Sequence, residues 1–201
     1  MTSRENSVKQ LAELYNVVIG VALSLSITKI VDVSATTLPI KTDNIFIFLT
    51  YIVIIIPFHQ GAVRHLFATY VENGGSSRIK QGALAVDFII LFAQACIFVI
   101  MGALIDKVQL FTNSLIILLA IDCVWGLLSY LAFTGAQAQN AEQLWSKINL
   151  IAGFILFFAT IFGPKLLNGW GMEMQQIIFA VIFIRTVIDY YTSWDFYYPK
   201  K

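Results

Sequence analysis

The chain has 201 residues, of which 58% are apolar and 12% charged, and its formal net charge is +1. Soluble domains carry about 25% charged residues, and mean hydropathy here is +0.77, so the composition points to an integral membrane protein. The near-neutral charge excludes a nucleic-acid binder, which needs a basic stripe to neutralise phosphates.

Hydropathy divides the chain into six apolar segments, each near the ~20 residues that a bilayer core requires. They run over 12–33, 44–67, 84–105, 111–133, 146–166 and 174–194. Little sequence is left over, so residues 1–201 are expected to form a single integral membrane domain. The fold class is all-α, a six-span transmembrane helical bundle whose short connections predict three consecutive antiparallel hairpins. Val33, Ser34 and Ala35 resemble a signal-peptidase site, but Lys29 and Asp32 interrupt the approach to it, so an uncleaved first span is expected. Pro39 is a good start for the second span. Residues 73–77, the Asp106–Lys107 pair, residues 135–142 and residues 169–171 read as the remaining turns.

Orientation follows from the asymmetry of Lys and Arg. Arg4, Lys9, Arg64, Arg78, Lys80, Lys147, Lys200 and Lys201 fall on one side, against Lys29, Lys41, Lys107 and Lys165 on the other. The expectation is a multi-pass protein of the cell membrane with both termini cytoplasmic. Trp145, Trp170 and Trp194 lie near span ends, where interfacial anchors belong.

In the first span Asn16, Gly20, Ser24 and Thr28 recur at every fourth position, which places them on one helix face. A lipid-facing helix has no use for such a stripe. It is expected to face another helix, or water and ions.

Ionisable side chains in spans are costly and should turn inward to partners. At 1.5 Å per residue, Asp122 and Arg185 lie about ten and eleven residues below the outer ends of their spans, so they share a depth and are expected to pair. Asp189, one turn from Arg185, brackets it from the same helix. His59 is close in depth and is followed by Gln60, while Asp87 lies near the cytoplasmic mouth of the third span. Two explanations stand: an ion or proton path lined by these groups, or a buried ion pair that fixes which helices meet.

Catalytic chemistry has no positive signal. Phosphate-cradling glycine loops, zinc-binding histidine pairs and nucleophile elbows are missing, so no enzyme is expected. Asp87 and Asp122 differ in depth by more than about 10 Å, too far to share one water as an aspartyl dyad must. Cys96 and Cys123 lie inside apolar spans and read as reduced packing thiols. A haem would want histidines on facing helices, and His59 and His65 share one. No cofactor or metal is expected.

The run Leu14–Leu25 resembles the first helix of the bacterial homologues of the lysosomal potassium channel called transmembrane protein 175, which reads F-S-D-x-V-F-A-I-A-x-T-L. Val18, Ala22 and Leu25 match, and Ile19, Gly20, Val21 and Ser24 are conservative. The second span has that family's cadence too, an aliphatic run followed by His59, Arg64 and His65. The hallmark R-x-x-x-F-S-D is degenerate, with Gln10, Leu14, Tyr15 and Asn16 in its places. The resemblance implies a homo-oligomer in which first helices surround a pore. Val21 and Leu25 would then form a hydrophobic constriction and Ser24 a hydroxyl layer, with Thr28 continuing the pore-lining face. An inner polar network of Asn16, His59, Asp122, Arg185 and Asp189 would replace the missing latch.

Three readings follow. The first is a cation channel, with potassium the expected ion, monovalent cations and the lipid bilayer as partners, and the first helix at an oligomer axis. The second is a non-conducting accessory or interaction protein, with small-residue packing on the first helix and the tail from Asp195 to Lys201 as a docking element. The third is a small proton-coupled transporter with a midplane site at Asp122, Arg185, Asp189 and His59.

Overall fold

The computed structural model describes residues 3–32, 34, 39–72, 83–132, 138–167 and 173–199. Its helices are α1 (Ser3–Ile30), α2 (Ile45–Phe67), α3 (Ala83–Ala103), α4 (Val108–Ala132), α5 (Ala138–Leu167) and α6 (Met174–Tyr197). All six are long and apolar enough to cross a membrane. The protein is therefore an all-α, six-helix, multi-pass membrane bundle. Consecutive helices touch, but the most extensive packing joins α1 to α3, α2 to α6 and α4 to α5.

Large apolar side chains cover the outside. On α5 alone Leu150, Ile151, Phe154, Ile155, Phe157, Phe158, Ile161 and Phe162 are exposed. In water such a surface would aggregate; in a bilayer it is the solvated face. The interior is built from heptads. From Val8 to Ser26 on α1 the buried positions are Val8, Ala12, Tyr15, Ile19, Ala22 and Ser26, the alternating four-and-three spacing that keeps one seam against a neighbour.

That seam leaves the polar stripe of the first span out of the packing within the chain. Asn16, Gly20, Ser24 and Thr28 are exposed on the outside of the bundle. Ser24 and Thr28 give their hydroxyl hydrogens to their own helix, at the Gly20 and Leu25 carbonyls. The four-residue period marked a polar face correctly, but the helix packs by its small and aliphatic face. The reason is close approach. A Cβ at Gly102 of α3 would lie 2.5 Å from the Ala22 carbonyl oxygen, so backbone meets backbone at that crossing, as small residues allow in membranes.

An aromatic nucleus holds α2, α3 and α4 together. The Tyr51 hydroxyl donates to the Phe98 carbonyl at 3.0 Å, and its ring meets Phe98 and Phe111 edge-on. Pro57, buried within α2, has no N–H and orphans the carbonyl four residues earlier. The Thr186 hydroxyl of α6 reaches that carbonyl, on Val53, at 3.4 Å. Such repair by a neighbouring helix is what makes proline tolerable in a bilayer.

The ends differ in detail from expectation. Pro39 does not open α2; its carbonyl accepts from the Asp32 amide at 2.9 Å, and α2 begins after a single 3-10 turn at Thr42–Asn44. Beyond Phe67 the helix widens into a π turn over Ala68–Glu72. The fifth helix starts at Ala138 rather than 146, which brings Glu142 into it. Its Trp145 is buried, against the expected interfacial anchor, whereas Trp194 is exposed. Trp170 and the predicted turns at 73–77 and 169–171 lie outside the described residues.

At the end of the bundle away from the termini, Lys29 Nζ meets Asp106 Oδ2 at 3.2 Å in the α3–α4 turn. Slight burial raises the Asp106 carboxyl, but hydrogen bonding to Lys29 and to its own backbone outweighs this and holds it below its usual value. Its contribution is therefore present above the ordinary carboxylate range and is lost as pH falls through the lowered value. Both partners are exposed, so the pair contributes little.

The α1–α3 crossing gives a stability test. Gly102→Ala is expected to cost about 1–3 kcal/mol through overpacking and to lower the thermal midpoint in detergent. Gly20→Ala, where a Cβ meets nothing within 4 Å, is expected to leave the midpoint unchanged or raise it.

Candidate functional site

Polar side chains fill two layers inside the half of the bundle that holds the chain termini. Two helices supply a polar residue to each layer seven positions apart, Gln94 and Asp87 on α3 and Asn149 and Glu142 on α5, and α2 places the Phe58 ring and His65 at the same spacing. Seven helical residues rise about 10 Å, and a heptad returns each side chain to the same seam. Two polar rungs therefore face one axis.

The layer nearer the termini centres on His65, which is fully buried. Its Nε2 is 2.9 Å from Asp87 Oδ2, and Glu142 Oε1 sits against Nδ1 as an ion-pair contact without the alignment of a hydrogen bond. Two nitrogen–carboxylate contacts need two protons: an imidazolium between carboxylates, or a neutral ring with one carboxylic acid. Asp87 is well held, accepting also from the Tyr70 hydroxyl at 2.6 Å and from Trp125 Nε1 at 3.1 Å. The π turn after α2 delivers Tyr70 to this position, a use of wide turns that recurs at functional sites. Ser146 ties α5 to α4 below Glu142, donating to the Cys123 and Glu142 carbonyls. Gly126 permits that approach, because a Cβ there would lie 2.2 Å from the Ser146 hydroxyl.

The deeper layer is a chain of hydrogen bonds across four helices. Gln94 Nε2 donates to Asp122 Oδ1 at 2.8 Å, and Asn149 Nδ2 donates to Asp122 Oδ2. Arg185 Nε donates to Asn149 Oδ1 at 2.8 Å, and its Nη1 to Asp189 Oδ2 at 2.7 Å. The Tyr197 hydroxyl donates to both Asp189 oxygens, at 3.1 and 3.2 Å. A break in helical geometry at Ser193 folds the end of α6 back so that Tyr197 reaches a residue eight positions earlier. The Arg185 guanidinium also lies 5.2 Å over the Phe58 ring, a cation–π contact.

The expected pairs are partly rearranged. Asp189 does bracket Arg185. Asp122 and Arg185 share a depth but are not joined directly; Asn149 stands between them, its amide turned so that oxygen faces the cation and nitrogen the anion. Asn16 and His59 do not enter this network. They pair with each other at 2.6 Å, with Tyr15 stacked on His59, at the edge of a groove. The tail expected to dock a partner is partly folded into the bundle. Tyr197 is buried and Phe196 packs on Trp145 and against Arg64, while Asp195, Tyr198 and Pro199 are exposed and Lys200 and Lys201 lie outside the described residues.

Sequence reasoning passed over His65, Glu142, Gln94, Asn149 and Tyr197 as site residues. The signal was present as spacing: Asp87 to Gln94 and Glu142 to Asn149 repeat a polar residue at heptad distance. A fifth span that opens at 146 places Glu142 in a loop, outside the repeat that the helix from Ala138 contains.

Two spaces adjoin the network. A small, half-open cavity of about 20 Å³ lies between the layers, lined by Gly61, Leu91, Asp122, Trp145, Asp189 and Tyr197 among others. A groove of about 860 Å³ runs along α1 and α2, lined by Asn16, Gly20, His59, Gln60 and Arg64 over Ile19, Leu23, Ile55 and Ile56. That volume lies within the range of small-molecule sites, about 300–1,000 Å³. Tyr197 lines both spaces. Tyr190 donates to Gln60 at 2.7 Å on the groove side. Arg64, paired with Glu72, gives its Nε to the Phe196 carbonyl at 2.9 Å and pins the end of α6 beside the groove.

Val21, Ser24 and Thr28 are exposed on the outer surface and Leu25 is partly covered; within one chain they line no channel. Both His65 nitrogens are spent on carboxylates on opposite sides, and among the described residues no group of three His, Cys, Asp or Glu side chains converges on a metal-sized point. No family model, curated protein or solved structure matches the chain.

Breaking a buried ion pair by removing one partner costs about 3–5 kcal/mol. His65→Leu, which strands Asp87 and Glu142, is expected to destabilise by that amount in an SDS-unfolding titration. His59→Leu, which loses one groove-edge hydrogen bond, is expected to cost about 1 kcal/mol. Equal losses would show that the His65 layer carries no special charge balance.

Proposed function

We propose that the protein is a proton-coupled membrane transporter whose proton site is the two-layer network and whose cargo site is the groove along α1 and α2. The observation that carries this reading is a charge imbalance. Among the described residues, Asp87, Asp122, Glu142 and Asp189 are four buried carboxyls, against buried Arg185 and His65, the latter a cation only when protonated. Buried charge is tolerated when paired, so such a set takes up and releases protons to stay near neutrality. Intramembrane ionisable groups of this kind mark proton relays in carriers.

Coupling has a physical route. Tyr197 borders the groove and holds Asp189, so cargo that displaces its ring alters a hydrogen bond to the carboxylate that neutralises Arg185. The amphipathic groove, apolar beside α1 and polar at His59, Gln60 and Arg64, suits a small molecule with one polar end. The Lys and Arg asymmetry supports cytoplasmic termini in the cell membrane, with the network in the inner half.

Cargo is not needed for a test. Purified protein in liposomes adsorbed to a solid-supported membrane is expected to give a transient current on a pH jump, as protons enter the low-dielectric interior. Asp122→Asn is expected to reduce the transferred charge at least threefold. A wild-type signal equal to that of protein-free liposomes would remove the reading.

The exposed face of α1 supports a second reading, a potassium channel assembled from several copies. Val21, Ser24 and Thr28 point outward beside the open space over Gly20, where identical helices could surround an axis as the family resemblance implies. Native mass spectrometry is then expected to show a closed oligomer, and liposomes a potassium flux lowered at least tenfold by Ser24→Leu. A monomer without flux excludes it.

A further inference from the structure

The cavity between the layers is water-sized and lined by polar groups, one of which lacks a hydrogen-bond partner. About one probe sphere of space, 10–15 Å³, admits a water, which needs two to four polar partners; the cavity offers about 20 Å³. Trp145 lines it and is 95% buried, at 5% relative exposure, yet its indole N–H has no hydrogen-bond partner in the protein. The Cζ2 edge of that ring, next to the N–H, lies 3.7 Å from where a Gly61 Cβ would stand, and the Tyr197 hydroxyl lies 3.6 Å from the same point. Asp122 and Asp189 complete the lining from α4 and α6.

We infer that this cavity is a binding site for one water molecule, which accepts from the Trp145 N–H and carries a proton between the carboxyl groups of Asp122 and Asp189. The inference rests on the proton-coupled reading above and names the carrier within it. The two carboxylates are otherwise separated by the Asn149 amide and the Arg185 guanidinium, neither of which passes protons readily. In the step, the O–H bond of a protonated Asp122 breaks as its proton moves to the water oxygen. The same water gives one of its own protons to Asp189, so one carboxylic acid is exchanged for the other and the water is regenerated. A sodium ion fits the site poorly, because the indole N–H and the guanidinium both present positive hydrogens.

Glycine at 61 is what keeps the space open. A methyl group there would touch Trp145 and Tyr197 at 3.6 Å, ordinary contact distance, so Gly61→Ala fills the site without forcing its walls apart. Internal water is read directly by infrared difference spectroscopy between pH values, as bands that shift when H₂¹⁸O replaces H₂¹⁶O. Wild-type protein is expected to show such a band, Gly61→Ala to lose it with an unchanged thermal midpoint, and Trp145→Phe to shift it. The pH-jump current of Gly61→Ala should fall at least tenfold. Absence of any ¹⁸O-sensitive band in the wild type would overturn the site. Loss of the band with an undiminished current would overturn the relay. If wild-type protein gives the band but no current, the transport reading fails and with it the relay, while the water site stands.

Discussion

Among the described residues, four carboxyl groups sit with one arginine and one fully buried histidine inside a bundle whose outer surface is hydrocarbon-like. In such a medium an uncompensated charge costs several kcal/mol after relaxation, so each carboxylate must find partners: Asp189 finds them on its own helix, in Arg185 and Tyr197, and the others find them across helices. Asp87 draws them from α2, from the π turn and from α4; Asp122 draws them from α3 and α5. The interaction is therefore also a constraint on assembly. No pair of helices can satisfy it alone.

Apolar packing supplies most of the contact area but little choice of partner, since lipid tails are as apolar as leucine. The polar layers supply the choice. Asn149 can bridge Asp122 and Arg185 only if α4, α5 and α6 meet at one depth, and His65 can face two carboxylates only if α3 and α5 flank α2. Glycines at the crossings then set how closely the helices approach. Gly102 admits the α1 backbone and Gly126 admits Ser146. Specificity and close packing are separate devices in this bundle, and they act on different helix pairs.

Much of this was legible in the residues. Six spans, the inward turn of Asp122, Arg185 and Asp189, and the shared depth of the first two follow from hydropathy and a 1.5 Å rise. The Asp189–Arg185 pair is local, one turn of one helix, and was read correctly. The direct Asp122–Arg185 pair was not, because depth constrains only one coordinate; an amide from a third helix occupies the line between them. The Asn16–Thr28 stripe shows the same limit. Periodicity identifies a face, but which neighbour covers it depends on where small residues let backbones touch.

The amino-acid sequence by itself determined the medium and the architecture's inventory. An apolar excess, length near 20 residues per span and sparse buried charge leave a multi-pass helical bundle as the one economical solution in a bilayer. Tertiary structure decided the partners: α1 against α3, α2 against α6, His65 rather than His59 at the charged centre, and Trp145 inside rather than at the interface. The physical reason is that spans form from local hydrogen bonds and hydrophobicity, both written along the chain. Neutralisation of buried charge is a property of three-dimensional coincidence among side chains from separate helices.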